Sequence, residues 1–289
     1  MTVCIAVLPR GSDAIILVSD ELLSSEVTSV DGVLKWAPIA PGVAWYVMYA
    51  GHAPRFQPLI RRVRDLLGDV KNTRLTLETV TQAFERAFAI ELTGLVEKDI
   101  LRPYGLTHGE FMRKGRRLLG EVRFNKVMDH IVRADLGIEV LVAGLDAWTN
   151  QQLFSVSSRG LITPAVLPYH AIGSGAFLAL GTLYSLAHYP AFGSDLADTV
   201  YRACAAKFAA EAAPGVGKST HAMVVSPMAG TWALLMDVDR LRDLWQTRGQ
   251  PPIPGRARVI IKRDLRALQY IPRKKRKSAG RLTRGSRRA

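Results

Sequence analysis

The chain opens with MTVCIAVLPRGSDAIILVSD, residues 1–20, and this stretch decides which fold the remaining sequence can complete. Two apolar runs, residues 3–9 and 14–20, flank a short polar turn, which predicts a β-hairpin. A hydroxyl side chain, Thr2, stands directly before the first run, and a carboxylate, Asp20, ends the second. Because the hairpin starts at once, we expect no leader segment before it.

Beyond the hairpin, predicted strands alternate with predicted pairs of helices. Apolar runs bounded by turn residues mark the strands, and apolar residues at helical spacing mark the helices. Strands are expected at 34–51, 138–146, 152–158, in the segment up to residue 171, at 221–227 and at 232–239, and helices at 54–70, 76–101, 173–190 and 195–212. This order favours antiparallel sheets stacked between helical layers over a doubly wound parallel sheet.

A polar and basic stretch, residues 102–135, interrupts this order and predicts a loop followed by a helix. We interpret it as an insertion in a domain that spans residues 1–240. An extension over residues 241–272 follows that domain, and a tail over residues 273–289 ends the chain. The sequence itself does not indicate what the insertion does.

The tail accounts for most of the net charge of +14. Residues 273–289 contain nine Arg or Lys and no acid, which leaves 30 basic and 25 acidic residues elsewhere. With so few apolar residues the tail is predicted to be disordered. It could bind nucleic acid or an acidic partner through nonspecific electrostatics, or it could be a solubilising extension with no partner.

Composition places the rest of the chain among globular proteins. A chain of 289 residues with 48% apolar content can bury a core. Two cysteines are too few for a disulfide framework, so a reducing cytoplasm is the expected location. No apolar run reaches 18 residues, and the six histidines lack the spacing of metal ligands, so no membrane, metal or cofactor is expected.

One stretch, AAPGVGKST at residues 212–220, matches the loose pattern of a phosphate-binding P-loop. A P-loop follows a buried strand and opens a helix, so that backbone N–H groups converge on the phosphate. Here a predicted helix comes before the loop and a predicted strand follows it. We therefore expect no nucleotide site, and the small residues of this loop require another explanation.

Five residues lie at or near the boundaries of predicted elements and follow one another along the chain. They are Thr2 before the first strand, Asp20 at the end of the second, Lys35 in VLKW, Gly51 in YAGH and Ser174 in IGSGAF. In this pattern the chain resembles N-terminal nucleophile hydrolases of the proteasome β-subunit type, over roughly residues 2–239. The resemblance implies an α+β fold, a four-layer αββα sandwich of two antiparallel sheets between helical layers. It also implies a threonine-type endopeptidase.

The resemblance assigns a role to each of these residues. Thr2 would be the nucleophile, with its own α-amine, of ordinary pKa about 8, as the base. Lys35 would lower the pKa of that amine and favour the alkoxide, while Asp20 anchors the lysine by a charge-assisted hydrogen bond. The backbone N–H of Gly51 would receive the oxyanion, and Ser174 completes the catalytic set.

The α-amine belongs to Thr2 only if Met1 is removed, and methionine aminopeptidases accept a small second residue such as Thr. The MT start is similar to that of the bacterial relatives HslV and Anbu, closest to Anbu. One departure concerns the loop before the strand at 221–227, where the family carries an Asp and a Ser. Here that loop has no Asp, and only Ser219 or Thr220 could serve as the proton-shuttle hydroxyl.

The family resemblance also implies partners. We expect a homo-oligomer, a ring or stacked assembly formed through the helical layers, that cleaves peptides or unfolded proteins and could work with an ATPase unfoldase. A second hypothesis is a catalytically silent scaffold of the same fold whose basic tail binds nucleic acid or an acidic partner. A third, an amidase acting on a small molecule, stays open because the shape of the pocket sets specificity.

Overall fold

The structure, a computed structural model, places the predicted strands and helices in space over most of the chain. The described residues are 2–10, 12–24, 29–40, 43–68, 75–146, 148, 150–187, 195–225, 232–234, 237–248, 253 and 255–265. Met1 and the tail at residues 273–289 lie outside these ranges, so the calls made on them stay predictions.

The strands and helices are bounded as follows. The strands are β1 (Cys4–Val7), β2 (Ile15–Asp20), β3 (Leu23–Ser24), β4 (Ser29–Val30), β5 (Trp36–Pro38), β6 (Trp45–Gly51), β7 (Ile138–Leu145), β8 (Gln151–Val156), β9 (Ile162–Pro164), β10 (Tyr169–Ile172), β11 (Thr220–Val225) and β12 (Trp232–Leu234). The helices are α1 (Phe56–Leu67), α2 (Leu77–Leu95), α3 (His108–Leu119), α4 (Glu121–Arg133), α5 (Ala176–Ala187), α6 (Leu196–Ala210), α7 (Val238–Arg248) and α8 (Gly255–Leu265).

The chain is an α+β protein with two antiparallel sheets, as the order of elements predicts. The first sheet has the strand order β10-β1-β2-β11-β12, and the second has the order β5-β6-β7-β8-β9. The predicted hairpin is the centre of the first sheet, where β1 pairs with β2 from Cys4 opposite Ser19 to Val7 opposite Ile16. β11 pairs with the other edge of β2, and its first residue, Thr220, lies opposite Asp20, the last residue of β2.

Alternation along the strands divides their side chains among three buried clusters. In the first cluster, residues of β1, β2 and β11 pack with residues of α5, α6, α7 and α8. In the second, β6, β7 and β8 pack with α1 and α2. In the third, residues from the opposite faces of the two sheets meet, among them Cys4, Leu17, Met48, Leu141 and Met223. A strand that contributes to two clusters is buried on both faces, which is why β1 and β2 read as continuous apolar runs.

The predicted insertion is a pair of helices with a small core of its own. α3 begins with a capping box, in which Thr107 and Glu110 satisfy each other's backbone N–H groups. Phe111 and Val127 are buried together with Val96 and Leu101, which belong to a π-helical turn after α2. The prediction of a loop followed by one helix was therefore wrong in its first half, because α3 occupies the place of the loop.

Two other differences concern strand partners and the end of the chain. The strands predicted between residues 138 and 171 do not form one group: β7, β8 and β9 lie in the second sheet, whereas β10 pairs with β1 in the first. The last predicted strand, residues 232–239, is too long, since α7 begins at Val238. α7 and α8 then pack against α6 through residues such as Leu241 and Ile261.

None of the helices within the described ranges combines the length and the apolar character that crossing a lipid bilayer requires.

Candidate active site

Asp20 lies at the centre of a buried polar cluster. It is the last residue of β2 and has no exposed surface. Its Oδ1 accepts from the N–H of Val3 at 2.8 Å and from the Thr2 hydroxyl. Its Oδ2 accepts from Lys35 Nζ at 2.9 Å and from the N–H groups of Leu22 at 3.2 Å and Gly217 at 3.1 Å. A carboxylate that accepts this many hydrogen bonds is held in one orientation.

The hydroxyl of Thr2 lies between the charged ends of Asp20 and Lys35. It donates to Asp20 Oδ1 and accepts from Lys35 Nζ. All three side chains are buried, with Thr2 3% and Lys35 2% exposed. Lys35 stands directly before β5, where its carbonyl accepts from Tyr49 N at 3.1 Å, so the second sheet positions it. The two sheets together therefore bring these three residues into contact.

The main chain of Thr2 is held by the turn that opens α5. Thr2 N donates to Ser174 Oγ at 3.3 Å, and Ser174 Oγ is also 3.3 Å from the Thr2 carbonyl oxygen. The N–H of Gly175 donates to that same oxygen at 3.2 Å. Gly173 completes the turn with φ +90°, and a Cβ at this position would lie 2.4 Å from Thr2 O. Only glycine fits so close to the start of the chain.

Gly51 is the last residue of β6, two positions after Tyr49, whose N–H donates to the carbonyl of Lys35. Since N–H groups alternate in direction along a strand, the Gly51 N–H points to the same edge of β6 as that of Tyr49, which donates to Lys35. The next N–H, that of His52, points the other way and donates to Gly137 O at 2.7 Å. Gly51 is exposed. Its amide therefore faces the edge at which Lys35 enters the cluster.

The glycine of the P-loop-like stretch contacts Asp20. Gly217 is buried, and a Cβ there would lie 2.4 Å from Leu22 Cβ, which leaves room only for glycine while its N–H reaches Asp20 Oδ2. The loop joins α6 to β11, so a helix precedes it and a strand follows, as the sequence predicts. Lys218, which would be the phosphate-binding lysine of a P-loop, is exposed.

Ser219 and Thr220, the predicted shuttle hydroxyls, have other partners. Ser219 Oγ donates to Asp31 Oδ2 at 2.6 Å. Thr220 Oγ1 accepts from Arg242 Nη2 at 3.0 Å. The hydroxyl that contacts Thr2 N is that of Ser174 instead.

Glu139 is a residue near this cluster that sequence reasoning missed. It lies on β7 opposite Ala50, and its neighbour Leu141, two positions along, belongs to the cluster between the sheets. Its carboxylate accepts from the N–H of Gly173, while partial burial raises its pKa above the ordinary value. A charged residue at an inward position of an otherwise apolar strand was the signal that could have identified it.

Cys4 follows Thr2 on the same strand face, and its thiol is buried beside the cluster. It is fully buried, and its thiol donates to the carbonyl of Tyr49 at 3.3 Å. Burial raises the pKa of Cys4 to about 12, an effect that the charge of Lys35 only partly offsets. Within the part of the chain that the structure describes, no group of three or more His, Cys, Asp or Glu side chains could hold a metal ion.

The arrangement places the Thr2 hydroxyl between a lysine cation and a carboxylate. A threonine hydroxyl is a weak nucleophile until a base takes its proton and a cation stabilises the oxygen. Here Lys35 supplies the cation, and Asp20 keeps that lysine in place. The backbone nitrogen of Thr2 lies on the same residue as the hydroxyl. Burial strengthens these charge interactions because little water competes for them.

Comparison with known proteins adds no family to this description: no family model matches the chain, and no curated protein is similar to it in sequence.

Proposed function

We propose that this chain is an N-terminal nucleophile hydrolase of the proteasome β-subunit type, which cleaves peptides or unfolded proteins through an acyl-enzyme on Thr2. The observation that carries the proposal is the buried contact of Thr2 Oγ1 with both Lys35 Nζ and Asp20 Oδ1. Asp20 ends β2 of the first sheet and Lys35 directly precedes β5 of the second sheet, and both contact the Thr2 hydroxyl, two residues before β1 begins.

The proposed fold is the four-layer αββα sandwich that the family resemblance implies. Its support is the division of the core into three clusters, one between each sheet and its helices and one between the two sheets. In such an arrangement the start of β1 and the end of β2 lie at the same edge of the sandwich. Thr2 and the turn before α5 meet at that edge.

The proposed reaction begins once Met1 has been removed, so that Thr2 N becomes a free amine. The amine, directly or through one water, takes the proton of the Thr2 hydroxyl as the oxygen attacks the substrate carbonyl carbon. Lys35 stabilises the developing negative charge on that oxygen, and Ser174 keeps the amine in place. The backbone N–H of Gly51 receives the oxyanion of the tetrahedral intermediate.

Collapse of the intermediate breaks the substrate C–N bond. The leaving amine takes the proton that the Thr2 amine had accepted, and the acyl group stays on Thr2 as an ester. Water then attacks the ester, the Thr2 amine again accepts a proton, and the acid product leaves with the hydroxyl restored. No step requires a metal or a cofactor.

Self-assembly through a helical layer is part of the proposal, and the exposed side of α5 supports it. Phe177 is 86% exposed and Tyr184 58% exposed, and both lie on the same side of the helix as Leu178 and Gly181. An apolar helix face of this kind marks a contact surface more often than a free one. A second copy of the chain is the proposed occupant.

A second candidate function is the silent scaffold of the same fold. The observation that favours it is the 3% exposure of Thr2, because a nucleophile must be reached by its substrate. The scaffold hypothesis predicts that Thr2 reacts with no electrophile, whereas the peptidase hypothesis predicts reaction at Thr2 alone.

Peptide hydrolysis by single-residue variants separates these two functions. We expect Thr2→Ala to lower kcat by about 10³-fold or more, and Thr2→Ser to retain measurable turnover because the hydroxyl is kept. Thr247→Ala is the matched control, since this threonine on α7 is exposed and, among the described residues, its hydroxyl donates within its own helix, to Asp243 O. Equal turnover by Thr2→Ala and the wild-type chain would refute the peptidase.

A further inference from the structure

The loop between α6 and β11 contacts the candidate active site at two points. Gly217 N donates to Asp20 Oδ2 at 3.1 Å. Ser174 Oγ lies 3.5 Å from the carbonyl oxygen of Pro214. One loop therefore contacts both the carboxylate that anchors Lys35 and the hydroxyl that contacts Thr2 N, so its position affects both sides of the proposed nucleophile.

A buried lysine on α6 holds this loop from the other side. Lys207 has no exposed surface. Its Nζ donates to Glu211 Oε1 at 2.6 Å and to the carbonyl oxygens of Gly217 and Lys218, each at 2.8 Å. An ammonium has three donors, and all three have acceptors here. Burying a charge is costly unless it is paired and hydrogen-bonded, and this pairing meets that requirement.

Glu211 is the ion-pair partner of this lysine. Burial lowers the pKa of Lys207 below its ordinary value, and the hydrogen bond and the charge of Glu211 offset part of that lowering. Glu211 also accepts from Arg242 Nη2 at 3.1 Å, and the Arg242 guanidinium lies 5.0 Å from the centre of the Phe208 ring. Arg242 donates to Lys218 O but has no contact with Gly217 O among the described hydrogen bonds, so Lys207 alone reaches that carbonyl.

Gly217 links the buried lysine of α6 to the candidate active site, because it contacts both Lys207 and Asp20. Its carbonyl is held by Lys207, and its N–H is given to Asp20. From there Asp20 bonds Lys35, which bonds the Thr2 hydroxyl. Every residue in this series of contacts is buried. Because buried groups are closely packed, a shift of Gly217 also moves the groups that it contacts.

We propose that Lys207 is a positioning residue for Thr2, which acts by fixing the Gly217 N–H on Asp20 and thereby the orientation of Asp20 toward Lys35. The catalytic consequence rests on the proposed function, whereas the effect on Asp20 does not. Lys207 contacts neither Thr2 nor Lys35 in the described hydrogen bonds, so it acts through Asp20 and not on substrate.

The test combines amide hydrogen exchange with the rate at which a peptide epoxyketone modifies Thr2 in the full-length chain. In Lys207→Met, which keeps an unbranched side chain one atom shorter and removes the ammonium group, we expect the Gly217 and Val3 amides to exchange at least about 10-fold faster. Ala222 in β11 should exchange at the wild-type rate. Modification of Thr2 should slow by about 10- to 100-fold, the scale expected for a small misplacement of a catalytic group.

Two further variants keep the test decisive. Glu211→Gln keeps a side-chain oxygen as an acceptor for Lys207 Nζ and leaves both carbonyl contacts in place, so Gly217 exchange should stay within about 3-fold of wild type. Lys207→Gln, which keeps a donor for one carbonyl, should give an intermediate rate of Gly217 exchange and serves if the methionine variant fails to fold. Faster exchange at Ala222 as well as Gly217 would point to a general structural role and overturn the proposal.

The outcomes also separate this inference from the proposed function. Unchanged Gly217 exchange in the Lys207 variants overturns the positioning role, whatever happens at Thr2. Local loss of protection at Gly217 with no modification of Thr2 in the wild-type chain supports the positioning of Asp20 and refutes the peptidase. Local loss of protection with undiminished modification shows that Thr2 does not depend on Lys207, and overturns the inference.

Discussion

Asp20 is the residue on which most of the candidate site depends. Five donors converge on its two oxygens, and its partner Lys35 is 2% exposed. Removing one member of a buried ion pair leaves the other charge without compensation, which usually costs about 3–5 kcal/mol. The same loss at an exposed pair costs less than about 1 kcal/mol.

We therefore expect Asp20→Asn to lower the free energy of unfolding by about 3–5 kcal/mol, as measured by urea denaturation. Glu91→Gln is the control, because its pair with Arg62 is long, at 3.5 Å, and partly exposed. That variant should change stability by less than about 0.5 kcal/mol. An Asp20→Asn chain as stable as the Glu91→Gln chain would show that Lys35 is not buried as a charge.

The raised pKa of the cysteines gives a second prediction at this scale. Both Cys4 and Cys204 are buried, and burial raises the pKa of each thiol to about 12. At pH 8 both thiols are therefore neutral. Since the thiolate is the reactive form, iodoacetamide at pH 8 should leave the folded chain unmodified and add two groups after unfolding in urea. Mass measurement decides this. Rapid alkylation of Cys4 in the folded chain would mean that the site is open at Cys4.

The sequence singled out Thr2, Asp20, Lys35 and Ser174, and the structure places all four in one hydrogen-bonded group. They could be found because each stands at the boundary of a predicted element, where a polar residue is conspicuous. Lys207 could not, since a lysine in an Ala-rich helix is ordinary on an exposed face, and only the packing of α7 and the loop shows that it is buried.

At the scale of elements, close approach of the backbone controls how the site is assembled. The turn before α5 reaches Thr2 only because Gly173 adopts φ +90° and has no Cβ to meet Thr2 O. Adding one methyl group there combines backbone strain of about 1–2 kcal/mol with overpacking of about 1–3 kcal/mol.

Gly173→Ala should therefore destabilise the chain by about 2–5 kcal/mol and slow the reaction of Thr2 with an epoxyketone. Gly94→Ala, within α2 and away from the proposed contact surface, is the control, because nothing lies within 4 Å of the added Cβ and alanine suits a helix better than glycine. It should raise stability by about 0.5–1 kcal/mol, measured by the same denaturation. If the two variants behave alike, the turn does not pack on Thr2.

Local patterns predicted most strands and helices of the fold, because apolar spacing reports which face of an element is buried. They did not predict that β10 leaves its neighbours to pair with β1, since that pairing joins Cys4 to Ile172 and no local signal reports so distant a partner. α3 was missed because its surface is basic, with one buried phenylalanine, Phe111, to mark its inner side.

At the scale of the whole molecule, exposed aromatic side chains on α5 support the proposed assembly. The exposed side of α5 is apolar, and α5 begins at the turn that holds Thr2. Burying a phenylalanine against a partner contributes about 1.5–3 kcal/mol, and a buried unpaired carboxylate in its place costs more.

We expect the wild-type chain to assemble and Phe177→Glu to dissociate it, as measured by light scattering or native mass spectrometry. The control is Val122→Glu on α4, which is 72% exposed and lies on a different helix pair. It should leave the assembly mass unchanged. A monomeric wild-type chain, or an assembly that survives Phe177→Glu, would contradict the assignment of α5 as the contact surface.

Intact mass of the chain before and after reaction with a peptide epoxyketone tests whether Thr2 is a free N-terminal nucleophile. That electrophile closes a ring with both the hydroxyl and the α-amine of an N-terminal threonine. The proposal predicts a chain without Met1 and one adduct, mapped to Thr2 and absent from Thr2→Ala. A chain that keeps Met1, or a free Thr2 that never reacts, would contradict the peptidase and favour the silent scaffold.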